Sequence, residues 1–346
     1  MGEKIKCVVW DLDNTIWDGA ILEDGDNIAI KDGILDIIKA LDERGILQSI
    51  ASKNNFDDAC IKLDEYGIGE YFLYPKINWN AKSESIKSIA KDLNIGAGTI
   101  AFVDDRPEER AEVSFSCPEV LCIDALEYKN ILGMPRFTLD RITQDAKNRR
   151  LMYQSDIKRK EEEESFQGTS EEFLQTLDMR LTISPVTPED LDRVEELTIR
   201  THQLNSTGYT YSYEELLALT NSDKHVFLIA ELKDKFGDYG KIGLALMEKN
   251  AGFNTIKLLL MSCRVMTRGI GTTLLIHLIK ESGDVPLRAE FLETDRNRVM
   301  YITYKFMGFD EISRIGNEVL LEYSSKTHRD YPEYINVGSG EPMSVS

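Results

Sequence analysis

The sequence predicts an α/β protein of two domains, and three observations carry that expectation. The chain has 346 residues, more than one hydrophobic core usually organises. In its first third, short apolar runs alternate with amphipathic segments, the pattern of strands and helices around a buried parallel sheet. From Asp140 to Asp178 the strand pattern stops and charge dominates, and a second α/β pattern begins near Leu181.

The first element is the apolar run Cys7-Val8-Val9-Trp10, which ends in Asp11-Leu12-Asp13-Asn14-Thr15. The carboxyl end of a buried parallel strand opens on the crevice where α/β sheets bind ligands. Asp11 and Asp13 therefore stand at the mouth of a crevice. Because the chain bends as it leaves the sheet, the first carboxylate can attack while the second gives and takes a proton. The second strand, Ile46 to Ala51, stops at Ser52-Lys53-Asn54-Asn55 before an amphipathic helix from Phe56 to Tyr66. A hydroxyl and the amides at a helix start suit phosphate oxygens. Lys82 precedes the helical pattern from Ser83 to Leu93, where its ammonium can neutralise a phosphate and a carboxylate together. A further strand, Thr99 to Val103, ends in Asp104-Asp105, an all-oxygen pair suited to Mg²⁺.

These motifs, over residues 4 to 125, resemble the haloacid dehalogenase superfamily of phosphatases. The resemblance implies a Rossmann-like parallel sheet, with Asp11 as the residue that becomes an aspartyl-phosphate and Asp13 as general acid/base. It further implies that Thr15, Ser52 and Lys82 bind the phosphoryl group, and that Mg²⁺ is held by Asp11, Asp13, Asp104 and Asp105. Between Thr15 and Asp32 the sequence predicts a short hairpin with a turn at Asp24-Gly25, a flap over the crevice. Neither that span nor the one from Ser52 to Lys82 has room for a large cap. An open site favours a large substrate or a partner that closes it.

Composition narrows the class further. A formal net charge of −19 opposes nucleic-acid and anionic-membrane binding, which need basic stripes. No apolar run approaches the roughly 20 residues that span a bilayer, and no signal-peptide pattern is present. The cysteines at 7, 60, 117, 122 and 263 form no C-x-x-C pair, a set suited to a reducing cytoplasm. The charged stretch, with Lys158-Arg159-Lys160 followed by Glu161 to Glu164, reads as a solvated helical linker. The expected division is 1–138 for the phosphatase-like domain, 139–180 for the linker, 181–325 for the second domain and 326–346 for a mobile tail.

In the second domain Thr187-Pro188-Glu189-Asp190 starts one helix and Ser212 with Glu215 caps another. Strand patterns at Val226 to Glu231, Ile242 to Met247 and Ile256 to Ser262 come next, the last leading through Cys263-Arg264-Val265-Met266-Thr267-Arg268-Gly269-Ile270-Gly271 into a helix. A glycine turn at a helix start offers amides to a pyrophosphate. Together with Asn297, Tyr304 and Phe306-Met307-Gly308-Phe309, this order resembles the GNAT-type acetyltransferase fold over residues 181 to 325, which implies a mixed sheet. Met266 stands where that fold's pyrophosphate loop usually carries Gln or Arg. The resemblance implies that Arg264, Arg268, Gly269, Gly271, Asn297 and Tyr304 bind a pantetheine arm or its carrier.

The two halves together, with Thr201-His202-Gln203-Leu204-Asn205 and Ser262-Cys263-Arg264-Val265, resemble the FkbH-like family. That family implies dephosphorylation of 1,3-bisphosphoglycerate coupled to glyceryl transfer onto the phosphopantetheine thiol of an acyl carrier protein in polyketide-type biosynthesis. If Asp11 attacked the acyl phosphate, the activated carbonyl would be discharged as a free acid. The expectation is therefore that Asp11 removes the far phosphate ester while a thiol, that of Cys263 or of the carrier, attacks the carbonyl. Arg149, Arg150, Lys158, Arg159 and Lys160 form one candidate docking surface for the carrier. The alternatives are a stand-alone Mg²⁺-dependent phosphatase with a non-catalytic second domain, and an N-acyltransferase.

Overall fold

The structure, a computed structural model, describes residues 3–138, 141–324 and 329–339. It divides into two compact units, Met1–Gln154 and Ser155–Ser346. Each unit has its own sheet and its own apolar core.

The first unit is a five-stranded parallel sheet in the order Lys76–Ile77, Leu47–Ser52, Cys7–Trp10, Ile100–Asp104, Leu121–Asp124. The three central strands are buried at every residue, which is why they read as continuous apolar runs rather than alternating ones. Cys7 pairs with Leu47 on one side and Ile100 on the other, so the three strands end in register. Asp11, Ser52 and Asp104 are thereby delivered to one edge of the sheet. The Asp11 amide donates to the Val103 carbonyl at 2.9 Å, which carries the first carboxylate just past the strand end.

The flap differs from the expected hairpin. Trp17–Asp18 pairs antiparallel with Ala29–Ile30, but a short helix, Ile21–Asp24, and a 3₁₀ turn, Gly25–Asn27, connect them in place of a turn at Asp24-Gly25. Ile21 and Ile28 are both buried, and a tight turn would leave them exposed. The Asp24 carboxylate accepts from the Ala20 amide at 2.9 Å and folds the connection back on itself. Gly19 permits this: its φ is +96°, and a Cβ there would lie 2.8 Å from an Asp24 oxygen.

The charged stretch is helical, as Gln144–Lys147, Arg149–Ser165 and Ser170–Gln175, and the unit boundary falls within the second of these. Residues 139–140 of the expected linker lie outside the described residues. Lys158 and Lys160 are exposed, whereas the other three candidate docking cations are tied into the fold. Arg149 and Arg159 are buried. Arg149 donates to the Gly45 carbonyl at 2.7 Å. Arg150 pairs with Asp42 and Glu70 at 3.1 and 3.0 Å. Arg159 grips Asp234 through two hydrogen bonds, 2.6 and 2.9 Å, and stacks 4.1 Å over the Tyr239 ring. Burying such cations is tolerable only with hydrogen-bond acceptors or paired carboxylates in place.

The second unit is built on an eight-stranded mixed sheet. Helices Leu191–Arg200 and Tyr213–Thr220 contribute Leu191, Val194, Leu197 and Leu216 to one apolar layer. Helices Ile270–Ser282 and Arg298–Met307 contribute to the other. The strands Asn254–Met261 and Leu287–Leu292 run parallel but pair only from Asn254 to Ile256. Beyond that, Leu204 to Ser206 wedges between them. Ser206 exchanges hydrogen bonds with Leu259 and accepts from the Leu292 amide at 3.0 Å, and Met261 donates to Leu204. In the expected tail, Ile335–Ser339 forms an edge strand parallel to Met179–Ile183, anchored by buried Ile335. Residues 326–328 and 340–346 of that tail lie outside the described residues.

Candidate active site

At the sheet edge of the first unit, a lysine and three carboxylates converge. Lys82, on the first turn of helix Lys82–Asp92, contacts Asp11 Oδ1, lies 3.2 Å from Asp104 Oδ2 and donates to the Ala51 carbonyl at 2.7 Å. Its Nζ sits 5.6 Å from the Phe102 ring centroid. Oxygens of Asp11, Asp104 and Asp105 all lie within 4.8 Å of one another. Asp104 Oδ1 is tied to the Arg106 amide at 2.8 Å, which fixes that carboxylate. Ser52 is buried and hydrogen-bonds Asp11.

The electrostatics are set by burial. Removal from water pushes the Asp11 carboxyl up to about 6, with the Asp104 charge adding to the rise and Lys82 opposing it. Asp104 and Asp105 are also raised, again first by burial. For Lys82 burial pulls downward, but Asp11 and Asp104 outweigh it and hold the ammonium charged. One ammonium for two buried carboxylates and a half-buried third leaves a deficit of positive charge. A hard, oxygen-loving divalent cation fits that donor set, held by Asp11, Asp104 and Asp105.

The Asp13 carboxylate is not in that cluster. It is engaged elsewhere: Oδ1 accepts from the Trp17 indole at 2.9 Å and the Ile21 amide at 3.3 Å, and Oδ2 accepts from Asn54 Nδ2 at 2.9 Å. Thr15 is fully buried and its hydroxyl has no hydrogen-bond partner, a group placed to meet an incoming oxygen. Asn54 Oδ1 is in the same position, buried and unmatched. Asn54 and Trp17 are the residues sequence reasoning missed. An Asn in a strand-to-helix loop looks like a turn residue, and only its contact with Asp13 marks it out.

In the second unit the candidate residues are engaged by the chain itself. Arg268 is buried and donates to Glu163 at 2.9 Å, and Arg264 donates to the Tyr239 carbonyl at 2.8 Å. Gly269 starts the helix at φ +75°, and a Cβ on it would lie 2.5 Å from the Tyr334 hydroxyl. A Cβ on Gly271 would meet Met261 at 2.8 Å. The glycine turn thus packs against Tyr334 and Met261, and its arginines face a carboxylate and a carbonyl, with Arg268 Nη1 left buried and unmatched. Asn297 is buried, donates to the Asn205 and Leu292 carbonyls at 3.1 and 2.8 Å, and so locks the wedge loop. Tyr304 is fully buried beside Phe309, and burial drives its phenol far up. Cys263 is half-buried against the apolar core. A cavity of about 620 Å³ lies elsewhere in this unit, lined by Tyr209, Tyr211, Lys257, Glu290, Phe291 and Leu320 among others, none of them expected.

No protein-family model and no curated protein sequence matches the chain. Among solved structures it is similar to the N-terminal part of a Bacteroides fragilis protein containing a phosphatase domain complexed with Mg, at 30% identity and TM-score 0.36, covering 41% of this chain and 42% of that one. It is also similar to the PaiA N-acetyltransferase of Thermoplasma acidophilum in complex with coenzyme A, at 20% identity and TM-score 0.34, over 42% of this chain and 99% of that one. A haloacid dehalogenase-superfamily hydrolase from Ehrlichia chaffeensis matches at 13% identity and TM-score 0.31, over 38% of this chain and 97% of that one. The chain's own topology defines its class: an α/β protein with a parallel-sheet unit and a mixed-sheet unit. No helix among the described residues is long and apolar enough to cross a membrane.

Proposed function

We propose that the first unit is a Mg²⁺-dependent phosphoryl-transfer enzyme in which Asp11 is the nucleophile. The observation that carries this reading is the convergence of Lys82 with Asp11, Asp104 and Asp105 at the ends of parallel strands. Asp11 attacks phosphorus, the ester P–O bond breaks, and the leaving oxygen takes a proton from Asp13. Water then attacks the same phosphorus, its proton passes to Asp13, and the bond to Asp11 breaks to free phosphate. Lys82, Ser52 and Thr15 orient the phosphoryl oxygens, and Lys82 offsets their charge. Asp11, Asp104 and Asp105 would hold a Mg²⁺ ion, which would supply the further positive charge that lets an anionic nucleophile approach an anionic group.

The substrate class rests on the resemblance to the FkbH-like family: a phosphorylated three-carbon acyl donor such as 1,3-bisphosphoglycerate, with an acyl carrier protein as acceptor. Asp11 then removes the far phosphate ester, and the thioester forms at a thiol. The carrier's own thiol is favoured over Cys263, which packs on the core, and the covered glycine turn favours entry of the arm elsewhere. Intact-mass analysis of a carrier incubated with the chain, Mg²⁺ and bisphosphoglycerate tests both levels. A dephosphorylated glyceryl carrier is expected. An Asp11→Asn variant that still yields it would remove Asp11 from the reaction, whereas phosphate release without any carrier product would leave a stand-alone phosphatase.

A further inference from the structure

We propose, resting on the phosphoryl-transfer reading above, that Asn54 is a catalytic residue for hydrolysis of the phosphorylated Asp11. Its amide holds the proton-accepting oxygen of Asp13 and orients the attacking water. The geometry of Asp13 sets up the inference. A carboxylate oxygen offers two acceptor positions. Oδ1 has both filled, by the Trp17 indole and the Ile21 amide. Oδ2 has one filled, by Asn54 Nδ2 at 2.9 Å, which leaves one acceptor position open on that oxygen.

The orientation of the Asn54 amide is then fixed, because a carboxylate can only accept and the nitrogen must face it. The other end of the amide, Oδ1, is an acceptor without a hydrogen-bond partner in a side chain that is 2% exposed. Buried polar atoms in folded proteins are nearly always matched, and an unmatched one calls for a ligand. The oxygen and nitrogen of one amide are about 2.3 Å apart, so Asn54 Oδ1 lies within about 5 Å of Asp13 Oδ2, a span that one water molecule bridges. That water donates one hydrogen to Asp13 Oδ2 and the other to Asn54 Oδ1. When it attacks, the new O–P bond forms and the bond from phosphorus to Asp11 breaks. One proton passes to Asp13, and the other stays on the released phosphate. Attack by Asp11 in the first step uses no such water, and p-nitrophenol leaves with little help from an acid, so with this substrate loss of Asn54 falls on the second step.

The test is acid-quenched intact-mass analysis of the full chain during turnover of p-nitrophenyl phosphate with Mg²⁺, for wild type, Asn54→Ala and the near-isosteric Asn54→Asp. The expected result is about 10²-fold slower phosphate release in both variants. It is accompanied by accumulation of phosphoenzyme, with p-nitrophenol formed in a burst. Clearance of phosphoenzyme at the wild-type rate in either folded variant overturns the proposal, as does a rate loss with no accumulation, which would mean a merely structural role. A wild-type protein whose Mg²⁺-dependent release of p-nitrophenol is unchanged in Asp11→Asn overturns the phosphoryl-transfer reading itself, and that outcome is distinguishable because it appears before any Asn54 variant is made.

Discussion

Asp11 has to be both a buried group and an anion, and those demands conflict. Burial pushes its carboxyl up to about 6, well above the ordinary Asp range. In metal-free protein it is therefore protonated below that pH and ionised above it. Because the folded value lies above the unfolded one, ionising Asp11 in place costs stability as pH rises through this interval. A divalent cation offsets that cost by binding the ionised form. Isothermal titration with Mg²⁺ should show affinity rising from about pH 5 to about pH 7, steepening toward tenfold per unit at the acid end, with protons released. A flat profile would exclude Asp11 from the ligand set. At this scale the sequence was a good guide wherever a functional group ended an apolar run: Ser52 and Asp104 end strands and Asp11 directly follows one. It was a poor guide to Asn54, whose meaning depends on a partner 41 positions away.

Among the elements, the long charged helix Arg149–Ser165 departs most from its sequence reading. Lys158, Lys160, Glu161 and Glu164 do face solvent, but Arg159 is buried because it finds Asp234 across 75 positions. No local pattern shows such a pairing. Arg159→Ala should lower stability by about 3 kcal/mol in urea unfolding, because it strands a carboxylate whose side chain has no exposed surface. An effect under about 0.5 kcal/mol, the range of exposed ion pairs, would mean that the pair is solvated. The flap shows the same principle in apolar form. Asp24-Gly25 is a sound local turn signal, but the burial of Ile21 and Ile28 selects a helical connection instead. That choice also delivers the Ile21 amide to Asp13.

For the whole molecule, a net charge of −19 is the dominant long-range fact. Self-repulsion of that size opposes compactness, and raising salt from about 20 to about 200 mM shortens the screening length roughly threefold. The thermal midpoint should rise over that range in scanning calorimetry; a fall would mean that the surface ion pairs outweigh the net repulsion. Two α/β units, their order, and the carboxylates and lysine of the first site were determined by the sequence itself, because apolar runs of strand length must be buried and the polar residues that end them must sit at the sheet edge. The tertiary structure alone decided which polar groups are spent on the fold and which are left for chemistry. Arg264 and Asn297 bond to Tyr239 and the wedge loop, and Arg268 gives one nitrogen to Glu163 and keeps another buried and unmatched, while Thr15 and Asn54 keep unmatched oxygens in the first unit. The physical reason is that a hydrogen bond depends on where both partners lie in space, and residue type and spacing specify only one of them.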